Sequence, residues 1–135
     1  MKKVNVFVCL DDNNGMMFNN RRQSRDSSVK RVILQMAKGK RLFMNKYTGK
    51  LFAGADIVID DFFLELAEEG DWCFVENESI AEHFDRIESL VVFRWNRVYP
   101  SDRKLDIDTG KMVLVESFDF VGSSHDKITC EIWKK

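Results

Sequence analysis

Val4, Val6 and Val8 interleave with Asn5, Phe7 and Cys9, so residues 4–10 are mostly apolar on both phases of a two-residue repeat. A strand with one wet face alternates apolar with polar residues, whereas a strand apolar on both phases suits a sheet covered on both faces. That requirement points to helices packed above and below a largely parallel sheet. The run ends at Asp11-Asp12-Asn13-Asn14-Gly15, a turn by composition.

The rest of the chain supplies the covering elements. Ser24 reads as the cap of a helix whose Val29, Val32, Ile33, Met36 and Ala37 recur every three or four positions, and Gly39 closes it. Short strands are expected at 41–45 and 56–59, with a loop or short helix at 47–52 between them. A second helix is expected from Asp60 or Asp61 to Gly70, bearing Phe62, Phe63, Leu66 and Ala67 on one side. Strands at 72–75 and 90–95 follow. The runs 112–120 and 127–133 have no helix between them and should pair antiparallel. The expected fold is α/β, with a mostly parallel central sheet, flanking helices and an antiparallel C-terminal hairpin. At 135 residues with one proline, residues 1–135 read as a single domain.

No apolar run approaches the roughly 20 residues that span a bilayer, and Met1-Lys2-Lys3 leads straight into the first strand pattern. A cytoplasmic protein with no membrane partner is the expectation. Cys9, Cys73 and Cys130 are odd in number and lie in apolar runs, as inert buried thiols do. Nothing in the sequence selects an oligomeric state.

Charge is segregated along the chain. Residues 21–50 hold ten Lys or Arg against Asp26 alone, and residues 51–90 hold twelve acids against Arg86 alone, although the net charge is only −1. Either the two segments neutralise each other in the fold, or the basic one serves an anion. A nucleic-acid partner for residues 21–50, with Phe18, Phe43 and Tyr47 stacking on bases, is disfavoured by the near-neutral total.

Several chemistries fail on inventory. Zinc needs three or four clustered ligands, and the chain has only His83, His125 and no C-x-x-C. A calcium loop around Gly15 would put Leu10 and Arg21 at ligand positions. Neither Gly39-Lys40 nor Gly49-Lys50 has the glycine or hydroxyl residue of a P-loop. Ser124, His125 and Asp126 are sequence neighbours that project apart, so they read as a polar turn, and His83 reads as structural. Asp26 stands out because positions 26, 29, 33 and 36 share one helix face, which carries its carboxylate toward the buried side. A carboxyl shielded there would have a raised pKa and suit a proton donor.

The order of these features resembles dihydrofolate reductase. Val4 to Leu10 matches that family's first strand, Asp11 to Gly15 its D-x-x-x-G turn, and Asp26 the acid at the start of its first helix. Phe43-Met44-Asn45-Lys46-Tyr47-Thr48 stands at its phosphate-binding motif of the type hydrophobic-Met-Gly-Arg-x-Thr. Leu90 to Trp95, Tyr99-Pro100-Ser101-Asp102 and the final strand pair resemble its late strand, Asp-containing loop and hairpin. The resemblance implies Asp26 as the catalytic acid and a cleft in which Arg22, Lys46 and Thr48 bind an anionic or heteroaromatic small molecule. It also marks departures: Glu76-Asn77 replaces the family's Gly-Gly pair, and the segment between Thr48 and Trp72 is short for an adenosine site. No cofactor is therefore assigned and ordinary NADPH binding is expected to be lost, with a reductase using an altered cofactor site as the rival. Phe18 to Asp26 and Trp95 to Pro100 are also similar to short bacterial proteins of unassigned function. Some of these are labelled ribonuclease Z, whose zinc pair two isolated histidines cannot build.

Overall fold

The β-branched run at the N-terminus forms β1 (Val4–Leu10) at the centre of the sheet. The computed structural model describes all of residues 1–135. In chain order there follow β2 (Gly15–Phe18), β3 (Arg21–Arg22), α1 (Ser27–Met36), β4 (Leu42–Met44), α2 (Lys46–Gly49), β5 (Val58–Ile59), α3 (Phe63–Leu66), β6 (Trp72–Phe74) and β7 (Ile87–Arg94). The chain ends with β8 (Arg103–Lys104), β9 (Val113–Phe120) and β10 (Ile128–Lys134).

Seven strands make the main sheet in the order β5-β4-β6-β1-β7-β10-β9. All pairings from β5 to β7 are parallel, and β10 runs antiparallel to both β7 and β9, as the sequence pattern implies. A second, small antiparallel sheet, β3-β2-β8, packs Met16 and Met17 against the β1 core and has no counterpart in the sequence pattern.

The two apolar phases of β1 feed two cores. Val4, Val6, Val8 and Leu10 join Phe63, Leu64, Leu90 and Val92 on one face. On the other, Phe7 meets Val29 and Ile33 of α1 together with Phe74 and Phe93. Val29 and Ile33 are buried, and removing each from water stabilises the domain by roughly 1.5 to 3 kcal/mol. No helix is long and apolar enough to cross a membrane.

Two local expectations need correction. The cap of α1 is Asp26, not Ser24: Asp26 has extended backbone (φ −154°, ψ 125°) and its side chain accepts from the Ser28 amide. The second helix shrinks to α3, one turn, with Phe62 and Leu66 left exposed. Ala67 turns extended there, and the Arg86 guanidinium donates to the Leu64 and Ala67 carbonyls that further helical turns would otherwise satisfy.

The segregated charges face one another. Arg22 pairs with Glu76, and Arg41 with Asp71, each joining the basic segment to the acidic one.

Candidate functional site

The site is assembled where two loops meet beyond the carboxyl ends of the central strands. Asp26 caps α1 with one oxygen and turns the rest of its carboxylate toward residues 122–125, the link between β9 and β10. Oδ1 accepts from the amides of Ser28 (2.9 Å) and Ser123 (2.8 Å) and from the Ser123 hydroxyl (3.1 Å). Oδ2 accepts from the Ser124 amide (2.9 Å) and lies 3.1 Å from His125 Nδ1, while the Ser124 hydroxyl, 3.2 Å from Oδ2, donates to the Arg25 carbonyl at 2.8 Å.

This link can approach so closely because residue 122 is glycine. A Cβ there would stand 2.3 Å from Asp26 Oδ2 and 2.9 Å from the His125 carbonyl oxygen. The Gly122 amide donates to that carbonyl at 2.9 Å and closes the turn.

Burial alone would push the Asp26 carboxyl up, but the Ser123 and Ser124 amides, His125 and the Ser28 amide outweigh it and hold it well below the usual carboxylate range. The expected raised pKa is thus corrected. The carboxyl is shielded from water as the helix stripe implied, yet hydrogen-bond donors surround it and favour its anion.

His125 is buried against Trp95, ring on ring at 4.6 Å and 22°. A carboxylate can only accept, so Nδ1 carries a proton toward Asp26, and in the neutral ring Nε2 is the acceptor. Nε2 lies 3.0 Å from the Tyr99 hydroxyl and 3.3 Å from Ser24 Oγ. Tyr99 is in turn held by Asp11, whose Oδ2 accepts from the Tyr99 amide while Oδ1 accepts from Asn13 and Gly15.

Beside this cluster lies a cleft of about 380 Å³. Val29, Ile33, Phe52, Phe74 and Trp95 form apolar walls, while Ser24, Arg25, Asp26 and Lys30 supply polar lining. The Lys30 ammonium lies 5.7 Å from the centre of the Phe52 ring. Cys9 also lines the cleft, but burial pushes its thiol well above the ordinary value. Burial likewise pushes Cys73 and Cys130 up to about 12, so none of the three has thiolate character.

Arg22 and Thr48 do come together, on Glu76. Arg22 donates to both Glu76 oxygens at 2.9 and 3.0 Å, and Thr48 Oγ1 donates to one of them at 2.8 Å. The Arg22 guanidinium also lies over the Tyr47 ring at 4.5 Å. Lys46 stands apart and exposed, its amide donating to Asp61. Asn45 caps α2 and binds Asn77 and Glu78 through its amide nitrogen at 2.7 and 2.8 Å. Burial, with Glu65 and Asp61 nearby, pushes the Glu78 carboxyl up against the pull of Asn45.

Sequence reasoning missed His125, Trp95, Tyr99 and the two serines. The one available signal was Gly122-Ser123-Ser124-His125, dense in small residues and donors between two strands. No group of three or more His, Cys, Asp or Glu side chains is placed to hold a metal ion.

No protein-family model matches the chain, and no curated protein matches it in sequence. Among solved structures, dihydrofolate reductase from Enterococcus faecalis, complexed with NADP(H) and RAB-propyl, is similar with a TM-score of 0.70 and 9% identity. The match covers 98% of this chain and 95% of that one. At that identity the likeness is one of architecture, and the chain has a dihydrofolate reductase-like fold.

Proposed function

We propose that the protein binds a small planar anion or heteroaromatic molecule in the cleft beside α1, and that it does so without a normal NADPH site. The observation that carries this reading is the cleft itself: apolar and aromatic walls, a lining on which the carboxylates of Glu76 and Asp26 are paired with Arg22 and His125 while Arg25 and Lys30 carry no ion pair, and a position at the carboxyl ends of β1, β6 and β7, where open α/β sheets place their ligands. Arg25 and Lys30 give the ligand its charge preference, and Phe52, Phe74 and Trp95 give it its flatness.

The missing NADPH site is supported by what fills the neighbouring position. The Enterococcus faecalis reductase was solved with NADP(H). Here Glu76 already neutralises Arg22 and occupies Thr48, and Glu78 with Asn77 engages Asn45. On this reading the Glu76 and Glu78 carboxylates would face a diphosphate that needs donors, and their repulsion opposes it. Arg22 and Thr48 on this reading shape one wall of the site through Glu76, which also lines the cleft. Lys46 stands apart from the cleft and is not part of its lining, and Asp26 positions the serine loop.

A thermal-shift panel of aromatic carboxylates, pterins, mononucleotides and NADPH tests the reading. At a concentration of 100 Kd a cleft ligand stabilises the fold by about 2.7 kcal/mol. At least one planar anion should raise the Tm, and Leu51→Trp, which crowds the cleft from its half-buried rim, should abolish that rise. A panel without effect, or a shift untouched by Leu51→Trp, sinks it.

A further inference from the structure

Ser24, His125 and Asp26 stand in a line. Ser24 Oγ is 3.3 Å from His125 Nε2, and His125 Nδ1 is 3.1 Å from Asp26 Oδ2. From these distances and the opening of Ser24 onto the cleft, we propose that Ser24 is a nucleophile for acyl transfer, with esters of small aromatic acids as its substrates. The proposal rests on the cleft being a ligand site.

Three features of the line are those that such chemistry needs. The acid is fixed: four other hydrogen bonds, from the Ser28, Ser123 and Ser124 amides and the Ser123 hydroxyl, hold the Asp26 carboxylate in place and ionised, so it orients His125 and balances an imidazolium without taking its proton. The base is fixed: His125 is clamped between the Asp26 carboxylate and the Trp95 ring, with its tautomer set. The nucleophile is accessible: Ser24 is only half-buried and lines the cleft whose apolar walls would take the acyl group. Asp26 and His125 lie 99 residues apart, so the arrangement exists only in the fold.

The reaction balances with water as the second substrate. Ser24 Oγ forms a bond to the ester carbonyl carbon as its proton passes to His125 Nε2, and Lys30 is the lysine on the cleft lining for the oxyanion. The tetrahedral species collapses with cleavage of the carbon–oxygen bond to the alcohol, which leaves with the proton from Nε2. Water then attacks the acyl-serine, giving its proton to Nε2, and the carboxylic acid departs as Ser24 recovers its own. The freed aromatic carboxylate is itself a planar anion of the kind the cleft suits.

Tyr99 sets a distinguishing test, because its hydroxyl shares Nε2 with Ser24 and approaches more closely. The folded full-length protein is treated with a fluorophosphonate probe, with p-nitrophenyl benzoate turnover followed in parallel. One adduct should form and map to Ser24. Ser24→Ala should abolish the adduct and lower turnover by at least about 100-fold. Tyr99→Phe should speed adduct formation by releasing the base, while Ser117→Ala on the exposed edge strand should change neither. If benzoate raises the Tm but no adduct forms at Ser24, or Ser24→Ala hydrolyses the ester as fast as the parent, the nucleophile is refuted and the cleft reading stands. Absence of binding and of reaction refutes both.

Discussion

His125 Nδ1 lies 3.1 Å from Asp26 Oδ2, across 99 residues of sequence, and this contact ties the last strand pair to the start of α1. An Asn at position 26 would keep the shape but turn one of the two oxygens into a donor facing the Ser123 or Ser124 amide. Buried donors left without acceptors cost about 1 to 3 kcal/mol each, so Asp26→Asn should lose roughly 3 kcal/mol by urea denaturation. That is far more than a helix-dipole contact, worth about 0.3 to 1 kcal/mol.

The same carboxylate makes stability fall in acid. Its folded pKa is held below the unfolded one, so its stabilisation is fully present above about pH 4 and is lost as the pH falls below that toward the folded value. Asp11, also held low by the Tyr99, Gly15 and Asn13 amides despite its burial, adds to the same limb. Asp26→Asn should therefore flatten the decline in stability below about pH 4. An unchanged slope would remove Asp26 from the account.

Gly122 is required by space. Gly122→Ala would place a methyl carbon 2.3 Å from Asp26 Oδ2 and 2.8 Å from the Ile128 side chain, and the backbone oxygen of His125 at 2.9 Å blocks retreat. The turn must shift, and the Ser123 and Ser124 amides move with it. A loss of about 2 kcal/mol or more, together with a changed His125 ring signal in NMR, is expected.

How far the sequence disclosed this molecule varies by element. The strand β1 was legible because a run apolar on both phases has few alternatives, and α1 because its stripe is long enough to define a period. Asp26 was legible as buried for the same reason. Its ionisation was not, since the donors that decide it sit on Ser123, Ser124 and His125 of a distant link. Arg22 and Thr48 were picked out as ligand groups by the family resemblance and by residue type, but only the fold shows them meeting Glu76. The opposed charges of residues 21–50 and 51–90 carried that information in coarse form.

The short α3 shows the same limit, because its end depends on Arg86, which lies 19 to 22 residues further along. Arg86→Ala would strip the Leu64 and Ala67 carbonyls of their donors and leave one helical turn without a terminus. A loss of about 1 to 3 kcal/mol is expected. Hydrogen exchange should accelerate locally at residues 63–67 ahead of the central strands. Uniform acceleration would show that Arg86 acts on the whole fold and not on this end.

Glu76 separates a lost cofactor site from a masked one. Glu76→Gly restores the residue type that a close diphosphate would need, but it leaves Arg22 and Thr48 without their acceptor. Breaking this largely buried pair should cost about 2 to 4 kcal/mol in chemical denaturation. The freed guanidinium should also gain weak, salt-sensitive affinity for inorganic phosphate. NADPH should not follow, because Asn77 and Glu78 still occupy Asn45, and Asp61 still holds the Lys46 amide. Calorimetry should give a Kd weaker than about 1 mM for NADPH in both proteins, less than about 4.1 kcal/mol of binding. A micromolar Kd in the variant alone would identify Glu76 as the single block on an otherwise intact site. A micromolar Kd in the parent would show that the carboxylates yield to the cofactor, and the proposed loss of the NADPH site would be wrong.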